Sequence, residues 1–337
     1  MNTPKYIWGG YYYLRLKPFA FLLSLTAINA IAGETIVYDP VGGTTTLGVT
    51  LTTVLGFGNS LAPSVTSFSK NSVTVKSGTI GGNVLGGYSA TSDNVENNKI
   101  YITDGTIYYN ALGGLSRQGN ANSNTVNISG GEMRKFVYGG YGSYTNSNSN
   151  SNTVNITGGT IYYDVFGGYS DSGSAINNTI NISGNPTFGV TTILYGGYIK
   201  TGTGDNFTSN TLNIRTKSIA VRGIGNFEFI NFYLPNDIKA NDTILKVNDA
   251  ITFGGSNTKL NVSAPNSINS NFNIGDSITL ISSATSIDTS KLTISNTSFQ
   301  ASSLARIYNF DITSEDQAIN ATLKQTILLK KHYPSLA

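Results

Sequence analysis

Acidic side chains and a single histidine are the residues of this chain that could support catalysis. Polysaccharide-cleaving enzymes need clustered carboxylates, and only Asp93 and Glu96 share one short segment, as expected of a solvated loop. The acids between residues 71 and 200 are Asp93, Glu96, Asp104, Glu132, Asp164 and Asp171. His332 is the only histidine, so a catalytic triad or a histidine-rich zinc site would depend on it alone. We therefore predict no enzyme activity, no catalytic residue, no metal site and no cofactor.

The composition favours strands and turns. The chain has 38 glycines, 21 Lys+Arg, 18 Asp+Glu and no cysteine, and no long segment shows apolar residues at helical spacing. The absence of cysteine excludes disulfides and thiolate metal sites. A core of β-strands must therefore be stable without cross-links.

The first 32 residues have the pattern of a secretory signal peptide. Lys5, Arg15 and Lys17 precede an apolar run, and Ala32 and Gly33 flank the predicted cleavage point. The run from residue 19 to 32 is shorter than the roughly 20 residues that a membrane-spanning helix needs. Cleavage would leave 18 charged residues of each sign, so the basic pI does not indicate nucleic acid as a partner.

Residues 71–215 contain a repeat of about 27 residues, marked by glycine pairs and by apolar dyads. The pairs begin at Gly86, Gly113, Gly139, Gly167 and Gly196. The dyads are Val73/Val75, Ile100/Ile102, Val126/Ile128, Val154/Ile156, Ile180/Ile182 and Leu212/Ile214. The segment from each glycine pair to the next dyad varies in length and is rich in Ser and Asn, which predicts loops, such as residues 142–151.

This period predicts an all-β fold, a right-handed parallel β-helix, in which like residues stack in every coil. Two residues before each dyad stand Asn71, Asn98, Asn124, Asn152, Asn178 and Asn210, an expected asparagine ladder at a bend. Predicted core columns are Ile80, Ile107, Met133, Ile161 and Val190, and Val84, Ala111, Val137, Val165 and Leu194. The residue between the members of each dyad should point outward.

The glycine pairs are expected at sharp corners that require positive φ. After each pair comes Tyr88, Leu115, Tyr141, Tyr169 or Tyr198. An aromatic stack that covers the corner explains this column. Alternatively, Tyr88, Tyr141, Tyr169 and Tyr198 are candidate ligand contacts that stack on sugars.

The pattern divides the chain into five parts. Residues 1–32 form the signal peptide, 33–70 the first coils or N-terminal cap, and 71–215 the regular repeats. Residues 216–320 are expected to continue the solenoid as irregular coils, and 321–337 form a basic-apolar tail.

The signal peptide, the "NTVNITGG…VFGGY" units and the segment "GNFEFINFYLP…DTILKV…GDSITLI" together resemble the passenger region of bacterial autotransporters, the type V secretion proteins of Gram-negative bacteria. The resemblance covers residues 1 to about 320. It implies export and display at the cell surface by a C-terminal outer-membrane β-barrel in cis. No such barrel follows the repeats in this sequence, where several strands with aromatic girdles would be expected.

Three functional classes are open at this level. A non-catalytic adhesin or structural stalk, with host or bacterial surface glycans or proteins as partners, is preferred because it needs no catalytic residues. The alternatives are a carbohydrate-active β-helix enzyme, of the polysaccharide lyase or glycosidase kind, and an ice-binding array. The last is suggested by the aligned Thr125, Thr153, Thr179 and Thr211. Binding is expected in the variable loops and on the outward Asn and Tyr columns.

Overall fold

The protein is a β-solenoid of about seven turns. The computed structural model describes residues 69–329 except residue 266, together with the strands Tyr12–Tyr13, Thr35–Tyr38 and Val54–Leu55. The described residues contain strands and turns but no helix. Successive coils pair in parallel, which confirms the predicted all-β, parallel stacked fold.

Three parallel sheets run along the solenoid. The dyad face has eleven strands: Tyr12–Tyr13, Thr35–Tyr38, Ser72–Val75, Lys99–Ile102, Thr125–Ile128, Thr153–Ile156, Thr179–Ile182, Thr211–Ile214, Phe229–Tyr233, Thr258–Ser263 and Leu292–Ile294. The short face has five: Thr79–Ile80, Thr106–Ile107, Glu132–Met133, Thr160–Ile161 and Thr187–Phe188. The glycine face has nine: Val54–Leu55, Val84–Leu85, Tyr88–Ser89, Ala111–Leu112, Leu115–Ser116, Val137–Gly142, Val165–Ser170, Ile193–Ile199 and Gly223–Gly225.

The core follows from strict alternation on the dyad face. In Thr125–Ile128 and Thr153–Ile156 the apolar dyad residues are buried and the threonines and asparagines between them lie outward. Val126 pairs with Val154, and Ile128 with Ile156, so equivalent side chains stack in the interior. Since every coil contributes the same positions, the interior is one continuous apolar column.

One predicted core residue is placed wrongly. Val190 is 82% exposed, and Phe188 occupies the position that pairs with Ile161. The coil that contains Val190 is longer than the others between its dyad and its glycine pair. Counting back from Gly196 therefore shifts the register and selects a turn residue.

The stack ends in an antiparallel region. A six-stranded sheet contains, in spatial order, Ile219–Val221, Thr243–Val247, Ser277–Ser283, Ala318–Leu328, Arg306–Ser314 and Ser298–Ser302. Its first three strands pair in parallel and its last three are joined by antiparallel pairing. Two further two-stranded pairs are Val95–Glu96 with Ala121–Asn122, and Ile251–Thr252 with Ile287–Asp288.

The segment boundaries drawn from sequence can be placed on this fold. The predicted signal peptide, with its cleavage point at Ala32 and Gly33, lies outside the described residues apart from strand Tyr12–Tyr13. Strand Thr35–Tyr38 pairs with Ser72–Val75, and Val54–Leu55 with Val84–Leu85. The boundary at residue 320 falls inside strand Ala318–Leu328, and residues 330–337 are outside the described part.

Candidate functional site

Six buried asparagines form a ladder at the corner that precedes the dyad face. We call this set, Asn71, Asn98, Asn124, Asn152, Asn178 and Asn210, the inner ladder. The backbone N–H of each of the first five donates to the side-chain oxygen of the next coil's asparagine at 2.8–3.1 Å, as from Asn124 to Asn152 and from Asn152 to Asn178. The side-chain amide of Asn152 also donates to the carbonyl of Ala121 at 3.0 Å. The ladder therefore satisfies backbone groups that the bend would otherwise leave unpaired.

The glycine pairs do not adopt positive φ, which corrects the expectation from sequence. A Cβ on Gly139 would lie less than 3.0 Å from the carbonyl oxygen of Gly167 and from the Cβ of Asn152. Gly140 would meet the side-chain amide of Asn152 in the same way. Gly86, Gly113, Gly167 and Gly196 are equally crowded by the next coil. Glycine is required here because the inner ladder and the neighbouring backbone leave no room for a side chain.

Positive φ occurs at two other columns, which the sequence analysis did not identify. The residue immediately before each asparagine of the inner ladder has φ between 57° and 69°: Lys70, Asn97, Ser123, Ser151, Asn177 and Ser209. A second column lies between the dyad face and the short face: Gly78, Gly105, Gly131, Gly159 and Gly184. These columns are the corners of the coil, and the frequent Ser, Asn and Gly there fit the left-handed conformation.

A second asparagine ladder runs along the outside of the dyad face. We call Asn127, Asn155, Asn181, Asn213, Asn231 and Asn261 the outer ladder. From Asn155 onward, each side-chain amide donates to the side-chain oxygen of the preceding coil's asparagine at 2.7–2.9 Å, and that of Asn127 donates to the carbonyl of Ile100. Thr125, Thr153, Thr179 and Thr211 align beside it, as the register predicts. The outer polar surface is therefore ordered by its own hydrogen bonds.

The variable loops are layered at their base. Asn120 accepts the N–H of Asn148, and Asn148 accepts the N–H of Ser174, at 2.9 and 2.8 Å. Asn122 and Asn150 form a similar series. Ser149 and Ala175 are buried between coils. Only the tips project, as at Tyr144, which is 60% exposed.

The candidate ligand tyrosines lie in an aromatic face outside the glycine face. Two files compose it: Leu85, Leu112, Tyr138, Phe166 and Tyr195, and Tyr88, Leu115, Tyr141, Tyr169 and Tyr198. Tyr138 stacks on Phe166 with centroids 5.0 Å apart and 9° between the planes, and Phe166 stacks on Tyr195 at 5.3 Å and 4°. In the file of the candidate tyrosines, Tyr169 stacks on Tyr198 at 5.1 Å and meets Tyr141 edge-on at 4.6 Å. Because these rings pack on one another, the geometry favours a packed cover more than a row of sugar platforms.

Burial changes the ionisation of this face. It raises the pKa of Tyr169 to about 12, with the negative charge of Asp171 as the next cause. Burial also raises the pKa of Tyr141, whose hydroxyl donates to Asp171 at 3.2 Å. Burial raises the pKa of Tyr138 as well. These tyrosines therefore stay uncharged to a higher pH than exposed tyrosines do.

The acids considered from sequence are held apart in separate local contacts. Asp93 accepts from the hydroxyl of Thr91, Asp171 from Tyr141, and Glu132 pairs with Arg134. Burial raises the pKa of Asp164, which accepts the N–H of Ile193 at 2.8 Å. In residues 69–329, apart from residue 266, no three His, Asp or Glu side chains are grouped so that they could hold a metal ion.

An open groove lies near the C-terminal end of the stack. It has a volume of about 1030 Å³ and lies between the turn at Thr285 and Ser286 and the hairpin turn at Glu315 and Asp316. Its lining is mostly polar, and it was not identified from sequence. No sequence motif marked it, because the two turns meet only in the folded chain.

The chain matches no protein-family model, no curated protein and no solved structure. None of the described residues belongs to a helix that could cross a membrane. The geometry alone therefore defines the class of this protein: a parallel β-solenoid with two asparagine ladders, an aromatic face and ordered loops.

Proposed function

We propose that this chain is an exported surface protein of autotransporter passenger type. In this proposal the solenoid acts without catalysis, as a rigid stalk or adhesin. The observation that carries the proposal is the unbroken stack of coils, with an apolar interior and hydrogen-bonded ladders inside and outside. Such a stack forms a rigid, extended rod because each coil packs against both of its neighbours.

The placement of the variable segments supports a display role. They all leave the glycine face and return to the dyad face, so their tips project along one edge of the solenoid. Their bases are fixed by the Asn148 and Asn150 hydrogen bonds, which leaves the tips as the parts that can vary. Rigid scaffolds with variable loops commonly carry binding functions.

Export is tested by tagging the full chain at the loop tip of residues 143–146 and producing it in a Gram-negative host. We expect antibody to label intact cells or the medium to contain the chain, with Gly33 as its first residue by N-terminal sequencing. A matched chain without residues 1–32 should stay inside. Retention of the intact chain in the cytoplasm, with residues 1–32 attached, would contradict the proposal.

Adhesion is tested separately with purified full chain on coated beads. We expect the beads to bind host or bacterial cells, and free chain to compete. If surface display succeeds while beads bind no more than beads coated with an unrelated protein, the role is that of a stalk alone.

A further inference from the structure

A second group of aromatic residues lies at the turn between the short face and the glycine face, and it borders the aromatic face through the contact of Tyr163 with Phe136. Strand register aligns Tyr108 with Arg134 and Tyr162, and Tyr109 with Lys135 and Tyr163, in three successive coils. We call these six residues the Tyr/Arg patch. Tyr108, Tyr109 and Tyr163 are 52%, 55% and 38% exposed. Packing of the core does not explain four tyrosines at this surface.

Cations lie on the tyrosine rings of the patch. The Arg134 guanidinium lies 4.6 Å from the ring centroid of Tyr162, and the Lys135 ammonium lies 4.7 Å from that of Tyr163. These contacts hold the rings in place at the surface. The next residue in the Tyr162 file is Gly189, so no side chain of that position covers the far face of the ring. Tyr162 is partly exposed, so a ring that Arg134 fixes on one side keeps accessible surface for stacking.

The charges of the patch favour an anionic ligand. Arg134 is paired with Glu132. Lys135 has no carboxylate partner among the residues that the structure describes, and its contact is the Tyr163 ring. The neighbouring Asp164 is half-buried and accepts the backbone N–H of Ile193. One ammonium is therefore available to a negative group that lies over the tyrosines.

The size of the patch decides between kinds of ligand. The patch is three coils high and two side chains wide, which gives an area on the order of 100 Å². A stable protein interface needs roughly 800 Å² on each partner. Nucleic acids are held by several phosphate contacts, and only one cation here lacks a carboxylate partner. A short run of sugar rings matches both the area and the open ring faces.

We propose that the Tyr/Arg patch binds an acidic polysaccharide, with sugar rings stacked on Tyr108 and Tyr162 and a sugar carboxylate paired with Lys135. This inference rests on the proposed function in one respect: surface display would give the patch access to such a glycan. It adds a ligand class and a site that the variable loops and the aromatic face do not supply.

The test is calorimetric titration of the purified full chain with oligogalacturonate, a neutral β-glucan oligosaccharide of equal length, and single-stranded DNA. We expect the chain to prefer oligogalacturonate. Tyr162→Ala and Lys135→Gln should each weaken that binding by about tenfold or more, because aromatic and cationic anchors dominate small interfaces. Tyr233→Ala, at another ring that carries a cation, and Lys246→Gln, at an exposed strand position, are matched controls outside the patch and should leave binding unchanged.

Circular dichroism melting of each variant establishes that the fold is intact. The inference is overturned if the wild-type chain does not bind oligogalacturonate, if it prefers the neutral glycan or the DNA, or if the patch variants match the controls. Binding in solution does not depend on export, so failure of surface display would leave this result standing, and the reverse is also true.

Discussion

Asparagine has two different roles in neighbouring columns of this molecule. In the inner ladder the side chains are fully buried and pair with backbone groups, whereas in the outer ladder they pair mainly with one another and are partly exposed. A buried polar group that loses its partner costs about 1–3 kcal/mol. A partly exposed group can turn to water instead. The two ladders should therefore differ in their contribution to stability.

Replacing Asn152 with Ala should lower the free energy of unfolding by about 3 kcal/mol, since it leaves the N–H of Asn124 and the carbonyl of Ala121 without their partner. The matched change in the outer ladder, Asn155→Ala, should cost about 1 kcal/mol or less. Urea unfolding followed by circular dichroism measures both. Equal losses would show that burial does not decide the ladder's contribution.

The glycine pairs give a second comparison between matched positions. Gly139→Ala should destabilise the fold by about 3 kcal/mol or more, because the new methyl group meets the backbone of the next coil. Gly223 also lies on the glycine face, but its Cβ would only touch Ile193 at an ordinary 3.4 Å. Gly223→Ala should be neutral or slightly stabilising. Thermal melting measures both variants. A lower melting temperature for Gly223→Ala than for Gly139→Ala would contradict this explanation of the glycine pairs.

High pH should weaken the aromatic face. The pKa of Tyr169 is raised to about 12 in the folded chain, above the ordinary value of about 10. Because the unfolded chain loses that proton first, this contribution is complete below about pH 10 and is lost as pH rises to about 12. Unfolding by urea across this range should show falling stability, with a smaller fall in Tyr169→Phe. An identical fall in that variant would contradict the assignment.

Much of the residue-level pattern could be predicted from sequence. The inner ladder and the dyad columns follow from spacing alone, because every coil repeats them. The reason for the glycine pairs could not be found that way, since it depends on the distance between Gly139 and the backbone of Gly167 in another coil. The Tyr/Arg patch was missed because its middle coil replaces tyrosine with Arg134 and Lys135, which interrupts the repeat.

At the scale of elements, the strands are constant and the connections absorb changes in length. The misplaced Val190 shows where residue spacing fails as a guide. The longer turn after Phe188 leaves the strands paired, but it changes the number of residues between the short-face strand and the glycine pair. Only the partner strand fixes which residue enters the core. Sequence spacing is therefore reliable within the rigid half of each coil and unreliable across an insertion.

The loop at residues 143–146 is two residues longer than its neighbours. In the preceding coil, two residues lie between Ser116 and Gly119. At the equivalent place in this coil, the four residues 143–146 lie between Gly142 and Ser147. Replacing residues 143–146 with Arg-Gln should change stability by less than about 0.5 kcal/mol, because only an exposed tip is altered.

The control for this replacement is Asn148→Ala, which removes the acceptor of the Ser174 N–H. It should be more harmful than the loop exchange despite changing one residue. Proteolysis and thermal melting compare the two. If the exchange alone unfolds the coil, the tip is part of the scaffold. In that case deleting the larger segment 142–151 could not separate binding from folding.

At the scale of the whole molecule, the antiparallel strands close one end of the stack. Ala318–Leu328 pairs with Ser277–Ser283 and buries Ile319, Ala321 and Leu323. Arg306–Ser314 adds Tyr308 and Phe310 to the same core. Without them a row of backbone donors and acceptors and an apolar surface would face solvent, and such edges promote association. The end region is thus a cap as well as a continuation.

A chain that ends at residue 295 should self-associate, whereas a chain that ends at Leu329 should not. The first loses the strands that cover Ser277–Ser283, and the second keeps them. Size-exclusion chromatography with light scattering gives the mass of each. A monomeric, folded product from the shorter chain would show that the parallel coils need no cap at this end.

The two ladders give the solenoid a direction. In the inner ladder each backbone N–H donates to the asparagine of the coil that follows it in sequence, whereas the N–H of the last member, Asn210, donates to the carbonyl of Phe207. A coil on the N-terminal side of a formed stack thus finds its inner-ladder acceptors already in place. In the outer ladder the direction is reversed, since each side-chain amide donates to the coil that precedes it, and a coil on the C-terminal side finds those acceptors in place. Each end of a formed stack therefore offers the next coil one ladder of ready acceptors.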